Sequence, residues 1–240
     1  MVAIPSLQDP TLEEMRRLTV EQDAKQPRRT YLGASEIGNP CVRAVWYNFQ
    51  QAPRKERRAE LIWAVEDGHR TEELIASRLR MIKGIELWTH KDDGSQWGYS
   101  ILNGKQKGHC DGVIRGLLQA PKTVHVWECK AKNQKAFDDF QKKKATFGEK
   151  RTLKEWSEPY YAQAQILMHY MELARHYTTV ALAGGRDIDS CRTEYDKEYA
   201  LALIDKAQKI IEAKEPPKKI SEKPEFWLCR WCDFEGICHT

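Results

Sequence analysis

The chain has 240 residues, 41% hydrophobic and 31% charged, with seven cysteines and a formal charge of +4. That length suits one large domain or two small ones around a substantial core. Eight Trp, nine Tyr and six Phe are too many for a disordered chain.

No run approaches the ~18 apolar residues of a membrane span, and residues 1–10 lack the basic and apolar regions of a secretory leader. The expectation is a soluble, cytoplasmic protein. In that compartment an odd number of cysteines argues against a disulfide framework and for metal ligation. The small net charge identifies no polyanionic partner, so a DNA-binding surface must rest on local patches.

Residues 11–24 read as a polar helix capped by Thr11, with Glu13 and Glu14 in its first turn. A basic turn at 26–30 follows, and Ser35 or Asn39 starts a helix with its body at Val42–Phe49. Arg54, Lys55, Arg57 and Arg58 form a basic cluster in a loop. Residues 66–82 are helical, with Leu74, Ile75, Leu79 and Ile82 on one face and Gly84 past the end. Strands are expected over 85–90, 98–102, 109–118 and 123–130, separated by Gly-, Asp- and Pro-containing turns. A lysine-rich amphipathic segment (133–154), a helix opening at Pro159 and a strand at 178–183 come next. The helix over 195–213 buries Leu201, Ile204, Ala207 and Ile211, and a Cys-rich stretch spans 226–240. This order argues for one α/β domain with helical additions. Its parts are an N-terminal segment (1–60), a core (61–214) and a cysteine tail (215–240).

Asp111 lies in Gly108-His-Cys-Asp-Gly112, and Glu128-Cys-Lys130 lies at the end of the next expected strand. An E-x-K pair in a strand puts both side chains on one face, about 6–7 Å apart. Asp111 on a neighbouring strand converges with Glu128, and hard carboxylate oxygens suit Mg²⁺ or Mn²⁺. A lysine there orients or deprotonates a water, or stabilises charge on the phosphoryl group. A solvated ion pair explains the tripeptide alone; the preceding Asp-Gly hairpin shifts the balance toward a site. Upstream, Gly68-His-Arg-Thr-Glu72 offers His69 or Glu72 as a further ligand. Downstream, Tyr161, Gln165 and His169 share one helical stripe.

These motifs, in this order, resemble the PD-(D/E)XK nuclease superfamily, and its RecB-like branch most closely. They are Gly68…Glu72, Asp111-Gly112, Glu128-Cys-Lys130 and Tyr161…Gln165. The resemblance implies a restriction-endonuclease-like core with a central mixed sheet flanked by helices. It also implies that Asp111, Glu128, the Cys129 carbonyl and either Glu72 or His69, which compete for one position, hold Mg²⁺ or Mn²⁺. Lys130 then assists the attacking water, and Gln165 and Tyr161 position the site. The family's last motif ends in Gln-x-x-x-Tyr, whereas His169 stands four residues after Gln165. Gln163 is the alternative register, and Tyr-Tyr-Ala-Gln-x-Gln is similar to phage exonucleases related to lambda exonuclease.

Cys229-x₂-Cys232-x₅-Cys238 is a metal-binding spacing with three thiolates. Cys41, at a helix start, is the better fourth ligand; Cys110, Cys129 and Cys191 read as buried bystanders. The layout resembles RecB-like iron–sulfur nucleases, including CRISPR-associated ones. The resemblance implies that Cys41, Cys229, Cys232 and Cys238 hold a 4Fe–4S cluster joining the N- and C-terminal segments. Phe226, Trp227 and Trp231 then form its apolar shell. Zinc, with four thiolates or three and His239, fits the same spacing.

Lys142, Lys143, Lys144, Lys150 and Arg151, interleaved with Phe140, Phe147 and Trp156, and the cluster of Arg54 and Arg57, are the candidate DNA contacts. The combined expectation is a metal-dependent DNA exonuclease of phage-type recombination or DNA processing. Its partner is single-stranded DNA or duplex ends, with a homo-oligomer or a recombination protein as further partners. The alternatives are a CRISPR-adaptation nuclease of the same fold and a non-catalytic iron–sulfur DNA-binding subunit.

Overall fold

The computed structural model describes residues 9–239; most of the segment read for a leader, residues 1–8, lies outside the described residues. Helix α1 (Pro10–Ala24) is capped by Asp9, not Thr11. Asp9 Oδ1 accepts from the Thr11 and Leu12 amides, at 3.0 and 3.2 Å. Pro10 at the first position lacks an amide to satisfy, which fixes the start one residue earlier than the hydroxyl suggested. After a two-residue strand β1 (Leu32–Gly33), α2 occupies Val42–Phe49 as expected. Helix α3 runs Ala59–Arg80, starting well before residue 66. Its first turns bury Ala59 and Ile62 and lie against α1, through Trp63 Nε1 to Thr19 Oγ1 and the Arg16–Glu60 pair.

Two sheets follow. Strands β3 (Gly98–Ile101) and β4 (Gln106–His109) form an antiparallel hairpin, and β1 adds parallel to β4. The larger sheet has the order β2 (Glu86–Trp88), β5 (Gly112–Arg115), β6 (His125–Lys132), β7 (Arg175–Leu182) and β8 (Ile188–Glu194). In this sheet β6 and β7 pair in parallel and the other neighbours antiparallel, so, with the parallel β1–β4 pair of the small one, both sheets are mixed. The single strand expected over 109–118 is therefore two. The chain leaves the small sheet after His109 and enters the large one at Gly112, with Cys110 and Asp111 at the handover.

The lysine-rich segment is also two elements, α4 (Gln134–Phe147) and α5 (Glu149–Trp156), divided by Gly148 at φ +77°. That left-handed conformation is open to glycine at no steric cost. Helix α6 (Glu158–Tyr170) buries every residue from Tyr161 to Met168. A helix covered all round belongs at the centre of a fold, and α6 lies between the large sheet, β3 and α7 (Lys197–Glu212). On the opposite face of the sheet, α3 packs Ile75, Ala76 and Leu79 against Leu87, Ile114, Trp127 and Tyr177. The short helices α8 (Trp227–Arg230) and α9 (Glu235–Cys238) carry the C-terminal cysteines. Among the described residues no helix is long and apolar enough to cross a membrane.

Candidate functional site

The handover between the sheets fixes the first carboxylate. Asp111 Oδ2 accepts from the Cys129 amide at 2.7 Å, tying the start of β5 to β6. Glu128 is buried, and its two oxygens are divided: Oε2 meets Lys130 Nζ at 2.5 Å, and Oε1 accepts from Gln163 Nε2 at 3.2 Å. Glu72, half-buried on α3, faces the same cavity. The Lys130 ammonium also lies over the Tyr160 ring, 5.2 Å from its centroid.

Burial, and then the charge of Asp111, push Glu128 up to about 8 against the pull of Lys130. The same two causes push Glu72 up to about 7. Burial raises Asp111 too, although Lys130 and the Cys129 amide pull it down. Burial disfavours the Lys130 charge, but Glu128 and Asp111 outweigh it and raise Lys130 above the ordinary lysine range. Three carboxylates thus share one ammonium. Mutual repulsion of this kind marks a site built to receive more positive charge.

Helix α6 points its two glutamines to different partners. Residues 161 and 165 lie on one stripe, and residue 163 is two positions away, on the far side of the helix. Gln163 is the one that reaches Glu128. Gln165 instead donates from Nε2 to the Glu194 carbonyl at 2.9 Å and accepts from the Asp196 amide at 2.8 Å. Tyr161 OH lies 3.3 Å from Asp196 Oδ2, and His169 Nδ1 lies 2.7 Å from Tyr195 OH. The whole Tyr161–Gln165–His169 stripe faces the β8–α7 connection, away from the carboxylates.

The cavity holding the carboxylates has a volume of about 540 Å³. His69 lines it along with Glu72, so both candidates from that turn are present. Its far wall was not anticipated: Arg29 and Tyr31 precede β1, and Lys107 and His109 lie on β4. The expected DNA contacts lie elsewhere and are largely engaged with acids. Arg57 pairs with Asp23, Lys144 with Asp189 at 2.5 Å, Lys150 with Glu194 at 2.7 Å and Arg151 with Glu155 at 2.8 Å. Lys143 lies over the Phe147 ring at 5.6 Å, Lys142 is exposed, and Arg54 lines a separate cleft beside Cys41 and Trp231.

Cys41, Cys229, Cys232 and Cys238 converge on one cavity of about 20 Å³, together with His239. His239 Nε2 is buried there without a hydrogen-bond partner. Burial, and then the neighbouring Cys41, raise the Cys229 thiol. The shell around this group is Tyr47 and Phe234, whose rings lie 5.6 Å apart. Trp227 and Trp231, expected to cover it, are 63% and 77% exposed: they stand at the first residue and the C-cap of the short α8, whose buried residue is Cys229. The three bystander cysteines are buried as expected, and burial pushes the Cys129 and Cys191 thiols up to about 12. Among the described residues, no three His, Cys, Asp or Glu side chains stand at ligand spacing for a metal ion.

The two mixed sheets with helices on both faces define an α/β architecture of the kind found in solved exonuclease structures. In particular, the alkaline exonuclease LHK-Exo from Laribacter hongkongensis matches with a TM-score of 0.51 at 12% identity, over 77% of this chain and 87% of that one. Its complex with dAMP matches equally well. The crystal structure of SSO0001 matches over 97% of this chain and 98% of its own, with a TM-score of 0.53 and 15% identity. At these identities the likeness is one of fold. No protein-family model and no curated protein matches the chain.

Proposed function

We propose that the protein is a metal-dependent DNA nuclease of exonuclease type. The observation that carries this reading is the cluster of Asp111, Glu128, Glu72 and Lys130 in one cavity, on a fold shared with an alkaline exonuclease. The donor set fits a hard divalent ion, since three carboxylates face a single ammonium. Asp111, Glu128 and Glu72, with His69 and the Cys129 carbonyl, would hold Mg²⁺ or Mn²⁺. Such an ion supplies Lewis-acid polarisation of a phosphoryl oxygen and a more acidic attacking water.

The chain's own groups do the rest. Lys130 keeps its proton between Glu128 and Asp111 and places an ammonium where charge develops on the phosphoryl oxygens. Gln163 donates to Glu128 and fixes its orientation, the role we give it in place of Gln165. The indole and threonine beneath the strand hold its backbone: Trp127 Nε1 donates to Thr179 Oγ1 at 3.1 Å, and Thr179 Oγ1 lies 3.3 Å from the Glu128 carbonyl.

Cys41, Cys229, Cys232 and Cys238 form the second proposed centre, a structural 4Fe–4S cluster or zinc. Four thiols and an imidazole with an orphaned nitrogen are soft donors suited to either. Either group would join Cys41, just before α2, to the C-terminal tail. The decisive experiment for the nuclease reading is degradation of end-labelled DNA in Mn²⁺. Wild type should degrade it, and Lys130→Ala should abolish the activity while keeping a cooperative thermal transition. Degradation that survives Lys130→Ala, or that proceeds in excess chelator, would overturn the reading.

A further inference from the structure

The nuclease reading leaves the far wall of the main cavity without a role. Arg29 and Lys107 both lie over the ring of Tyr31, 5.9 and 5.2 Å from its centroid. Neither forms an ion pair among the described residues, unlike Arg57, Lys144, Lys150 and Arg151. A cation–π contact is worth about 0.5–1 kcal/mol at an exposed position and leaves the cation's charge in place. These two cations therefore line the cavity outside any ion pair, in the same space as Asp111, Glu128 and Glu72.

Backbone pairing fixes where these residues stand. Tyr31 enters β1, which is pinned to β4 through the Leu32 amide to Lys105 O at 2.8 Å and the Ala34 amide to Lys107 O at 3.0 Å. The Arg29 guanidinium lies against the β1 backbone, so close that a Cβ at Gly33 would come within 3.0 Å of Nη1. Lys107 sits on β4, which ends at His109, and the chain reaches Asp111 two residues later. Four residues span at most roughly 13 Å, so the cationic wall and the carboxylates lie within that reach in one cavity.

A half-buried aromatic ring flanked by cations outside any ion pair is the chemistry of a site for an unpaired base and its phosphate. We propose that Tyr31, Arg29 and Lys107 form a subsite for an unpaired nucleotide of the DNA strand. The base stacks on Tyr31, and the backbone phosphate is held by Arg29 and Lys107. This deepens the nuclease reading and rests on it. A duplex presents no free base face at that position, so the subsite makes single-stranded DNA, or a frayed end, the preferred substrate.

The test measures fluorescence anisotropy of a labelled oligothymidylate and of a duplex of equal length, in the Lys130→Ala background with Mn²⁺ present. Tyr31→Ala should weaken single-strand binding roughly 5- to 150-fold and leave duplex binding unchanged, while Tyr31→Phe should retain it. Tyr31→Leu, which keeps bulk without an aromatic face, should behave like Tyr31→Ala and guards against a folding defect. Arg29→Ala with Lys107→Ala should flatten the dependence of log affinity on log salt by about 0.7, the value for one neutralised phosphate on a single strand. An unchanged salt slope, equal losses on duplex, or loss of binding in Tyr31→Phe would overturn the subsite. If wild type degrades DNA in Mn²⁺ and the variants bind normally, the subsite alone fails. If wild type does not degrade DNA, the nuclease reading itself fails.

Discussion

Replacing Gln165 and Gln163 separately by Met distinguishes a residue that holds the fold from one that serves the site. Gln165 is fully buried and makes two hydrogen bonds to the β8–α7 connection, one to the amide of Asp196, which caps α7. Met keeps the volume and removes both. Each buried polar group left without a partner costs about 1–3 kcal/mol. Glu194 and Asp196 are half-buried, which puts the pair toward the low end, about 2–4 kcal/mol. For a chain of this length that is a fall in Tm of about 10 °C, at 2–4 °C per kcal/mol.

Gln163→Met loses one hydrogen bond, to Glu128 Oε1 at 3.2 Å, and should shift Tm by only a few degrees. Its effect belongs in the reaction: losing a group that orients a ligand typically costs 10–100-fold in metal affinity or activity. Thermal unfolding and Mn²⁺-dependent DNA degradation, measured on both variants, give a crossed pattern if the geometry is right. A Gln165→Met protein with wild-type Tm and no activity would refute the reasoning and restore the other register.

Three further outcomes are expected. Glu128 and Glu72 have folded values near 8 and 7, above the ordinary 4.5. The metal-free protein therefore loses stability as pH rises from 4.5 through that window. Metal binding displaces those protons, so the Tm increment from Mn²⁺ should be larger at pH 8 than at pH 6; an increment independent of pH would count against these ligands. Burial, with Lys130 nearby, pushes His176 down to about 3. Below pH 6.5 the unfolded chain takes a proton that the folded one refuses, so stability falls as pH drops, by up to ~1.4 kcal/mol per unit. The carboxylates oppose this trend, so denaturant titrations at pH 7 and 5 should show it as a difference between wild type and His176→Gln. Anaerobically purified protein should absorb near ~400 nm if a thiolate-bound iron–sulfur cluster is present. Cys232→Ala should lose that band and several degrees of Tm; a stable, colourless, fully active variant would remove the cluster from consideration.

The bounds of α2 were legible to the residue and those of α7 to within two. The buried stripe of α7, however, is Ala200, Leu203, Ala207 and Ile210, one position before most of the expected face, and Leu201 is exposed. The carboxylate–lysine group was legible because each motif carries its own residue signature. The handover at Cys110–Asp111 was not, since strand alternation says nothing about which sheet a strand joins. Strand β8 escaped notice because only Cys191 and Thr193 are buried along Ile188-Asp-Ser-Cys-Arg-Thr-Glu194; an edge strand with polar faces reads as a loop. The lysine clusters drew attention by density, but their neutralising acids lie about 40 residues away in sequence, in Asp189 and Glu194. Arg29 and Lys107 stand apart in the chain and become neighbours only through the parallel pairing of β1 with β4.

The helix α2 is held by residues made long after it. Trp46 Nε1 donates to the Ala213 carbonyl at 2.9 Å, Arg43 donates to Pro217 O at 2.9 Å, and the Lys55 amide donates to Asp233 O at 2.8 Å. During synthesis, domains fold as their sequence emerges, N-terminal parts first. Here residues 42–55 must wait with Tyr47 uncovered until Phe234 leaves the ribosome. That stretch is therefore open to proteases and aggregation until the cysteine tail is made, and a ribosome stalled before residue 226 carries a chain that lacks the Lys55–Asp233 and Tyr47–Phe234 contacts.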